Sequence, residues 1–352
     1  MKKNFILLVI IALSNTLYSQ DTSSNKFWNG FFKDIEYSKP FISELHSIVN
    51  RIEMGYHEEY GPYKLSNSFQ LYKRPMVELH LGFDASLYRY DWGKNWSVGL
   101  SLPVSMHVLE DMWEPITAAV IDVDYRFGSP KIKAIKSFSN SKLIKNVSVM
   151  WLPLFHECTH LGDELVLAVA AIGYPLKRVN VSYEYTELQM TINDPNGSIE
   201  NNHALRIGGR YRVSNRGYGW FSTESFAIDS SIVELTESTH RFEWNIEYQW
   251  QRSKGFLASK YAVNYFSLDV SSRVKLGLPV FLNDNGVWLA KDKEEKNVVT
   301  FNAFLGWQFR GSIPKSRSLG LYLHVYKGIN YWGQLRNQGN YGYYGIALIY
   351  DY

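Results

Sequence analysis

The stretch Phe242-Glu243-Trp244-Asn245-Ile246-Glu247-Tyr248-Gln249-Trp250-Gln251-Arg252 decides the fold. Its even positions up to Trp250 are aromatic or Ile, and its odd positions are Glu, Asn and Gln. An alternation of period two puts each set on one face of a β-strand. The same pattern recurs at 203–214, where Leu205, Ile207, Tyr211 and Val213 oppose Arg206, Arg210 and Arg212. It returns at 299–310 and 318–326, and similar runs cover 77–90, 96–108, 117–127, 147–160, 178–190, 261–275 and 342–352. These make about eleven strands, most of them longer than the usual five or six residues.

Soluble β-proteins alternate too, so the chemistry of the two faces has to decide. The polar faces gather Glu78, His80, Asp84, Asp122, Asp124, Arg126, Glu243, Glu247, Asp269 and Arg273, while the apolar faces carry bulky residues rich in Trp and Tyr. Aromatic residues make up 16% of the chain. Apolar residues out to lipid, polar residues into a lumen and aromatic girdles at both interfaces describe a transmembrane antiparallel β-barrel. Closure is required because lipid satisfies no open sheet edge. Single-chain barrels of this kind have even strand numbers, so a twelfth strand is expected, and 65–73 is the best place for it. The final run, Tyr344, Ile346, Leu348, Tyr350 and Tyr352, alternates to an aromatic end, similar to the sorting signal read by the outer-membrane barrel-assembly machinery.

Composition removes other classes. A hydrophobic fraction of 45% excludes disorder, and Cys158 as the single cysteine excludes a disulfide scaffold. The 37 basic and 34 acidic residues nearly cancel, which argues against nucleic acid. After the first 20 residues no apolar run is long enough for a membrane helix. Lys2 and Lys3 precede an apolar run at 5–13, so residues 1–19 read as a cleaved signal peptide and the destination as the outer membrane of a Gram-negative cell. Residues 20–64 are expected to form a periplasmic or plug segment, and 65–352 the barrel. The N-terminal segment should hold one helix, with Ser38 as cap, Pro40 in the first turn, Phe41, Leu45, Ile48, Val49 and Ile52 on one face, and Gly55 beyond its end. No cofactor or metal is expected, the partner is outer-membrane lipid, and the barrel is a monomer.

With both termini periplasmic, counting strands back from the C-terminus puts 328–341, 276–296, 215–239 and 161–177 outside the cell. The turns at 311–317, 253–255 and 191–202 then face the periplasm. Long outer loops and short inner turns are the expected asymmetry. The exception is 128–146, long and bearing Lys131, Lys133, Lys136, Lys142 and Lys145, which the count places in the periplasm. The charged lumen should pair its own charges and be closed, and a narrow solute channel is the alternative.

One constellation concerns chemistry. Residues 154–164 read Leu-Phe-His-Glu-Cys-Thr-His-Leu-Gly-Asp-Glu and contain the spacing of a zinc-protease HExxH. That chemistry needs a helix, whereas on a strand His156 and His160 lie about 13 Å apart. On a strand that continues the alternation of Val147, Val149 and Trp151, the residues His156, Cys158 and His160 point into the lumen, and Glu157 and Thr159 point outward. Arg178, Asn180, Ser182 and Glu184 on the next strand are expected to face inward beside them. Imidazoles serve as general bases, Ser182 or Cys158 as nucleophile, and Asp163 or Glu184 to orient a histidine. His156, His160, Asp163, Asn180, Ser182, Arg206 and Arg210 are the candidate ligand-binding residues at the extracellular rim. His156, His160, Ser182 and Glu184 are the candidates for catalysis. Because the row faces inward, a structural or ligand-binding cluster ranks above a hydrolase of outer-leaflet lipid.

His156-x-x-x-His160-Leu161-Gly162-Asp163-Glu164 after a strand, Asn180-x-Ser182-x-Glu184 on the next and the strand around Arg206–Tyr211 resemble a bacterial family, domain of unknown function twelve-oh-seven. The likeness runs from about Phe155 to Tyr211. It implies an outer-membrane barrel and brings no activity. In that family a small hydroxyl residue is common where this chain has Cys158.

Overall fold

The computed structural model describes residues 30–32, 41–45, 48–57, 60–65, 69–71, 75–93, 95–112, 119–162, 177–194, 202–214, 218–222, 241–253, 262–275, 280–282, 288–290, 296–310, 318–333 and 341–351. The expected signal peptide lies outside them, as does Asp163.

The strands in chain order are β1 (Asn50–His57), β2 (Tyr60–Leu65), β3 (Phe69–Leu71), β4 (Pro75–Trp92), β5 (Trp96–Asp111) and β6 (Ala119–Gly128). They continue with β7 (Lys131–Ser137), β8 (Asn146–Leu161), β9 (Lys177–Ile192), β10 (Asn202–Ser214), β11 (Tyr218–Ser222) and β12 (Phe242–Arg252). The last are β13 (Ala262–Lys275), β14 (Val280–Leu282), β15 (Trp288–Ala290), β16 (Lys296–Arg310), β17 (Ser318–Gly328) and β18 (Tyr341–Asp351). β1 pairs with both β18 and β4, and β8 pairs with β9, so the antiparallel sheet closes on itself. β6 and β7 lie end to end between β5 and β8 and count as one stave, which makes a closed barrel of twelve. β2 and β3, and β14 and β15, form two separate small hairpins.

The first stave corrects the sequence reading. The twelfth stave is not the expected 65–73: among the described residues Leu65 belongs to β2 and Phe69–Leu71 is β3, and these two strands pair with each other in a separate sheet. The twelfth stave is β1, and no helix occurs among the described residues of the N-terminal segment. Arg51-Ile52-Glu53-Met54-Gly55-Tyr56-His57 alternates by two, with Arg51, Glu53 and His57 buried and Ile52 and Met54 exposed. That pattern outweighs the helical spacing of Ile48, Val49 and Ile52, because the edges of β4 and β18 both need a partner. The barrel therefore begins at Asn50.

The lysine-rich exception also resolves. Lys131–Ser137 is strand β7, so the connection to β8 is only residues 138–145. Lys133 Nζ bonds Asp194 Oδ2 at 2.6 Å, and Lys131 pairs with Asp84. Every connection at this end is now short. The connections of a dozen or more residues gather at the other end, except for 112–118.

The two faces divide as the alternation requires. Glu78, His80, Asp122, Asp124, Arg126, Arg206, Arg212, Glu243, Glu247, Asp269 and Arg273 are buried, and Ile207, Ile246, Phe301, Leu305, Leu321, Leu323, Ile346 and Leu348 are exposed on the outside. Tyr90, Trp92 and Trp96 are exposed at the short-turn end, and Tyr211, Phe242, Phe301 and Tyr344 lie toward the other. An apolar belt outside a charged interior inverts the arrangement of a soluble protein.

The interior is filled from both ends. Residues 41–45 cross the lumen. The Ile42 N–H donates to Gln249 Oε1 (3.3 Å), Ser43 Oγ bonds Ser267 Oγ (2.7 Å), and Asn302 Nδ2 donates to the Ser43 carbonyl (2.7 Å). Glu44 holds Arg206 and Arg210, and Arg126 reaches the Leu45 carbonyl at 3.4 Å. From the long-loop end, residues 329–333 turn inward: the Tyr331 hydroxyl donates to Glu78, and the Gly333 N–H donates to both Asp124 oxygens at 3.3 Å. Ile329, Asn330, Tyr331 and Trp332 are all buried.

Candidate functional site

The site is set by a local irregularity in two neighbouring staves. Leu152 pairs with Glu187 and Phe155 with Tyr185, so Pro153 and Leu154 together face the single residue Thr186. On the other side, β5 pairs Val104 with Phe127 and Ser101 with Lys131, so two residues of β5 face three of the β6–β7 stave. Each stave thus carries one extra residue relative to its outer neighbour. The cause is chemical. Pro153 and Pro130 have no N–H to give the ladder. The Leu154 N–H instead donates to Ser129 Oγ (3.0 Å), the Ser129 N–H donates to the Leu154 carbonyl (2.8 Å), and Thr186 Oγ1 donates to the Leu152 carbonyl (3.1 Å). A side chain on Gly128 would put its Cβ 2.4 Å from the Leu154 carbonyl oxygen, so this close approach needs glycine.

One extra residue exchanges the faces of everything beyond it. Val149 and Trp151 are exposed below the bulge, and Leu154 and His160 are exposed above it. The expectation for the motif is therefore reversed. Phe155, Glu157 and Thr159 are buried on the lumen side, with Glu157 fully so. His156, Cys158 and His160 lie on the outer wall. The segment is strand throughout, so Glu157 and the two histidines point to opposite sides and share no zinc-protease site.

On the outer wall His156 pairs in register with Glu184, and His156 Nδ1 is 3.1 Å from Glu184 Oε1. The two side chains are only partly accessible, 26% and 33%. Cys158 follows two residues on and is half-buried, and Ser182 is its partner in register. Of Asn180 and Ser182 the strand position is described: Asn180 pairs with Gly219 of β11. On the other flank Phe127 pairs with His156, their rings 5.0 Å apart, and Tyr125 pairs with Cys158. Tyr125, Phe127 and Leu154 are exposed, so the polar group sits in an aromatic and aliphatic surround. His156 is five residues below the end of β8, which at the usual rise and tilt is roughly 13 Å from the rim. The His156–Glu184 hydrogen bond thus lies on the outer wall, away from the strand ends.

Arg206 and Arg210, expected at the rim, belong to the lumen. Arg206 Nη1 bonds Glu44 Oε2 (2.9 Å) and lies 3.4 Å from Glu247 Oε2; Arg210 bonds Glu44 Oε1 (3.2 Å) and Glu187 Oε2 (3.1 Å). The wall separates them from His156. Two aromatic neighbours, Tyr125 and Phe127, were missed as part of the site. The alternation of 117–127 contained them, but the inward reading of β8 placed the site on the other face.

The Nδ1–carboxylate bond has a chemical consequence. A carboxylate that accepts from Nδ1–H fixes the neutral imidazole in the tautomer whose basic nitrogen is Nε2. A nucleophile, a base and an orienting carboxylate on adjacent strands are the parts of a hydrolytic centre.

No family model and no curated protein matches the chain. Among solved structures it is similar to outer membrane phospholipase A from Escherichia coli, at 11% identity and a TM-score of 0.44 over 90% of this chain and 99% of that one. It is also similar to the translocator domain of the autotransporter NalP from Neisseria meningitidis, at 11% identity and a TM-score of 0.44 over 87% of each chain. A third likeness is to LpxR from Salmonella typhimurium, at 9% identity and a TM-score of 0.34 over 86% of this chain and all of that one.

Proposed function

We propose that the chain is an outer-membrane barrel with a closed lumen whose working surface is its outer wall, where it hydrolyses an ester of membrane lipid. The observation that carries this is the His156–Glu184 bond on the lipid-facing side of β8 and β9, next to Cys158. A carboxylate hydrogen-bonded to an imidazole costs free energy on a wall that faces hydrocarbon. A hydrolase ranks low only if Cys158 and His156 face the lumen, and the bulge at Pro153 turns them to the lipid side.

His156 Nε2 takes the thiol proton of Cys158, and the sulfur attacks the ester carbonyl carbon. The carbon–oxygen bond to the alcohol breaks, the proton on Nε2 passes to the departing oxygen, and a thioester remains. Water, deprotonated by the same nitrogen, attacks the thioester carbonyl and releases the fatty acid, returning the proton to sulfur. Glu184 keeps the imidazole in one tautomer and stabilises its charged form. Phe127, Tyr125 and Leu154 offer an apolar surface for the acyl chain. The resemblance of 155–211 to the barrel family above is consistent with this location and is itself part of the proposal.

The test is release of fatty acid from a fluorescent phospholipid in vesicles carrying the full chain. Wild type is expected to release it. His156→Ala and Cys158→Ala should lose at least 100-fold, and Glu184→Gln about 10-fold, with heat-modifiability retained. If Ser182→Ala abolishes activity and Cys158→Ala does not, the nucleophile moves to Ser182. Absence of release by folded wild type overturns the reading.

A further inference from the structure

The lumen side of β8 is held by a set of contacts that the outer site does not use. Asp124 pairs in register with Thr159, and Arg126 with Glu157. Arg126 Nε lies 3.3 Å from Glu157 Oε2, and its Nη2 lies 3.4 Å from Asp124 Oδ2. Thr159 Oγ1 donates to Asp122 Oδ1 at 2.9 Å. Gly333 closes the group from the mouth by donating to Asp124. A Cβ on Gly333 would lie 2.4 Å from Thr159 Cγ2 and 2.7 Å from Thr159 Cβ, so only glycine fits there. Glu157 is flanked in sequence by His156 and Cys158, and Thr159 by Cys158 and His160.

These contacts bear on register. Above a bulge, a strand has two placements that differ by one residue, and they exchange its faces. In one, His156 and Cys158 are outside. In the other, Glu157 and Thr159 would be outside, with a carboxylate stripped of Arg126 and set in lipid. The contacts with Arg126, Asp122 and Gly333 exist only in the first. We infer that the mouth segment 329–333, through Gly333, and the Arg126–Glu157 pair are positioning elements for the outer site. They act from the inside of the wall to fix which face His156 and Cys158 take and that His156 stands opposite Glu184. This rests on the outer wall being the working surface, and extends it by linking that surface to the segment that closes the barrel mouth.

The test uses the fact that Cys158 is the chain's single cysteine. Alkylation of the full-length barrel in vesicles by a lipid-soluble maleimide reports on that thiol without requiring turnover. The rate-against-pH profile of wild type is the reference, and His156→Ala should change it. Gly333→Ala is expected to reproduce the His156→Ala profile and to lower kcat for ester release about 10-fold, with KM unchanged. Should Gly333→Ala fail to fold, Glu157→Gln serves the same purpose, since it keeps the shape and removes the charge facing Arg126. Profiles of Gly333→Ala and Glu157→Gln that match wild type overturn the inference. If wild type shows no ester release but the alkylation profiles behave as stated, the positioning role holds and only the proposed reaction fails.

Discussion

Replacing Glu44 by Ala should loosen the inner plug without unfolding the barrel. Glu44 accepts from Arg206 at 2.9 Å, from Arg210 at 3.2 Å and from Gln189 at 3.2 Å, and its side chain is 13% exposed. Removing one partner of a buried, hydrogen-bonded charge pair costs about 3–5 kcal/mol. The low end applies here, because Arg206 keeps Thr191 at 3.1 Å and Glu247 at 3.4 Å, and Arg210 keeps Glu187 at 3.1 Å. A loss of about 3 kcal/mol raises the population with 41–45 unseated about 100-fold. None of the ladder bonds between staves involves Glu44, so the melting temperature should hardly move. Hydrogen exchange of the full chain in detergent reads the difference directly at the Ile42 N–H, which donates to Gln249. Exchange there should accelerate about 100-fold, and planar-bilayer recordings should change from silent to brief openings. Glu44→Gln keeps a neutral acceptor and should fall between. Exchange at 41–45 within twofold of wild type in Glu44→Ala would refute the claim that this carboxylate seats the plug.

Leu323 is exposed on the outer face of β17, and Leu323→Arg should cost about 2–4 kcal/mol in unfolding from lipid vesicles if it lies near the bilayer midplane. The same substitution measured in a soluble β-protein would be nearly neutral, so a neutral result argues against a lipid-facing wall. A Cβ on Gly55 would lie 2.0 Å from the Tyr343 hydroxyl, whose ring also covers Gly345. Gly55→Ala should displace that ring and lower stability by about 1–3 kcal/mol, read as a lower melting temperature.

The barrel was legible because its alternation is long and its polar face is charged. Within 242–252 Glu243 and Glu247 are buried, while Phe242 and Ile246 are exposed, as period two requires. Two staves were misread because another feature outweighed their period of two. Lys131-Ile132-Lys133-Ala134-Ile135 alternates, but it was counted within one long connection, 128–146; the partners of its lysines are Asp84 of β4 and Asp194, two residues beyond the end of β9. Asn50–His57 alternates too, but Phe41, Leu45, Ile48 and Val49 ahead of it share a helical spacing. Phe41, Leu45 and Val49 are buried because this segment enters a lumen that no local pattern reveals.

The site was harder to read because its side of the wall depends on a single residue of register. From Val147 to Trp151 the sequence assigns the outer face correctly. Pro153 then signals that a ladder bond is missing, but not how the strand absorbs the loss. A strand that simply skipped one bond would keep its parity, and His156 would face inward. A strand that bulges reverses it. The choice is made by residues remote in sequence: Gly128, which lets the backbone close in; Ser129 and Thr186, which take up the freed polar groups; and Arg126, which binds Glu157 only after the reversal. The matching extra residue in the β6–β7 stave lets both strands turn over together and keeps their mutual register, with three residues on each side between Gly128↔Phe155 and Ile132↔Trp151. The placement of His156 and Cys158 is thus a property of the pair of strands. A reading of either strand alone yields the right residues on the wrong side of the wall.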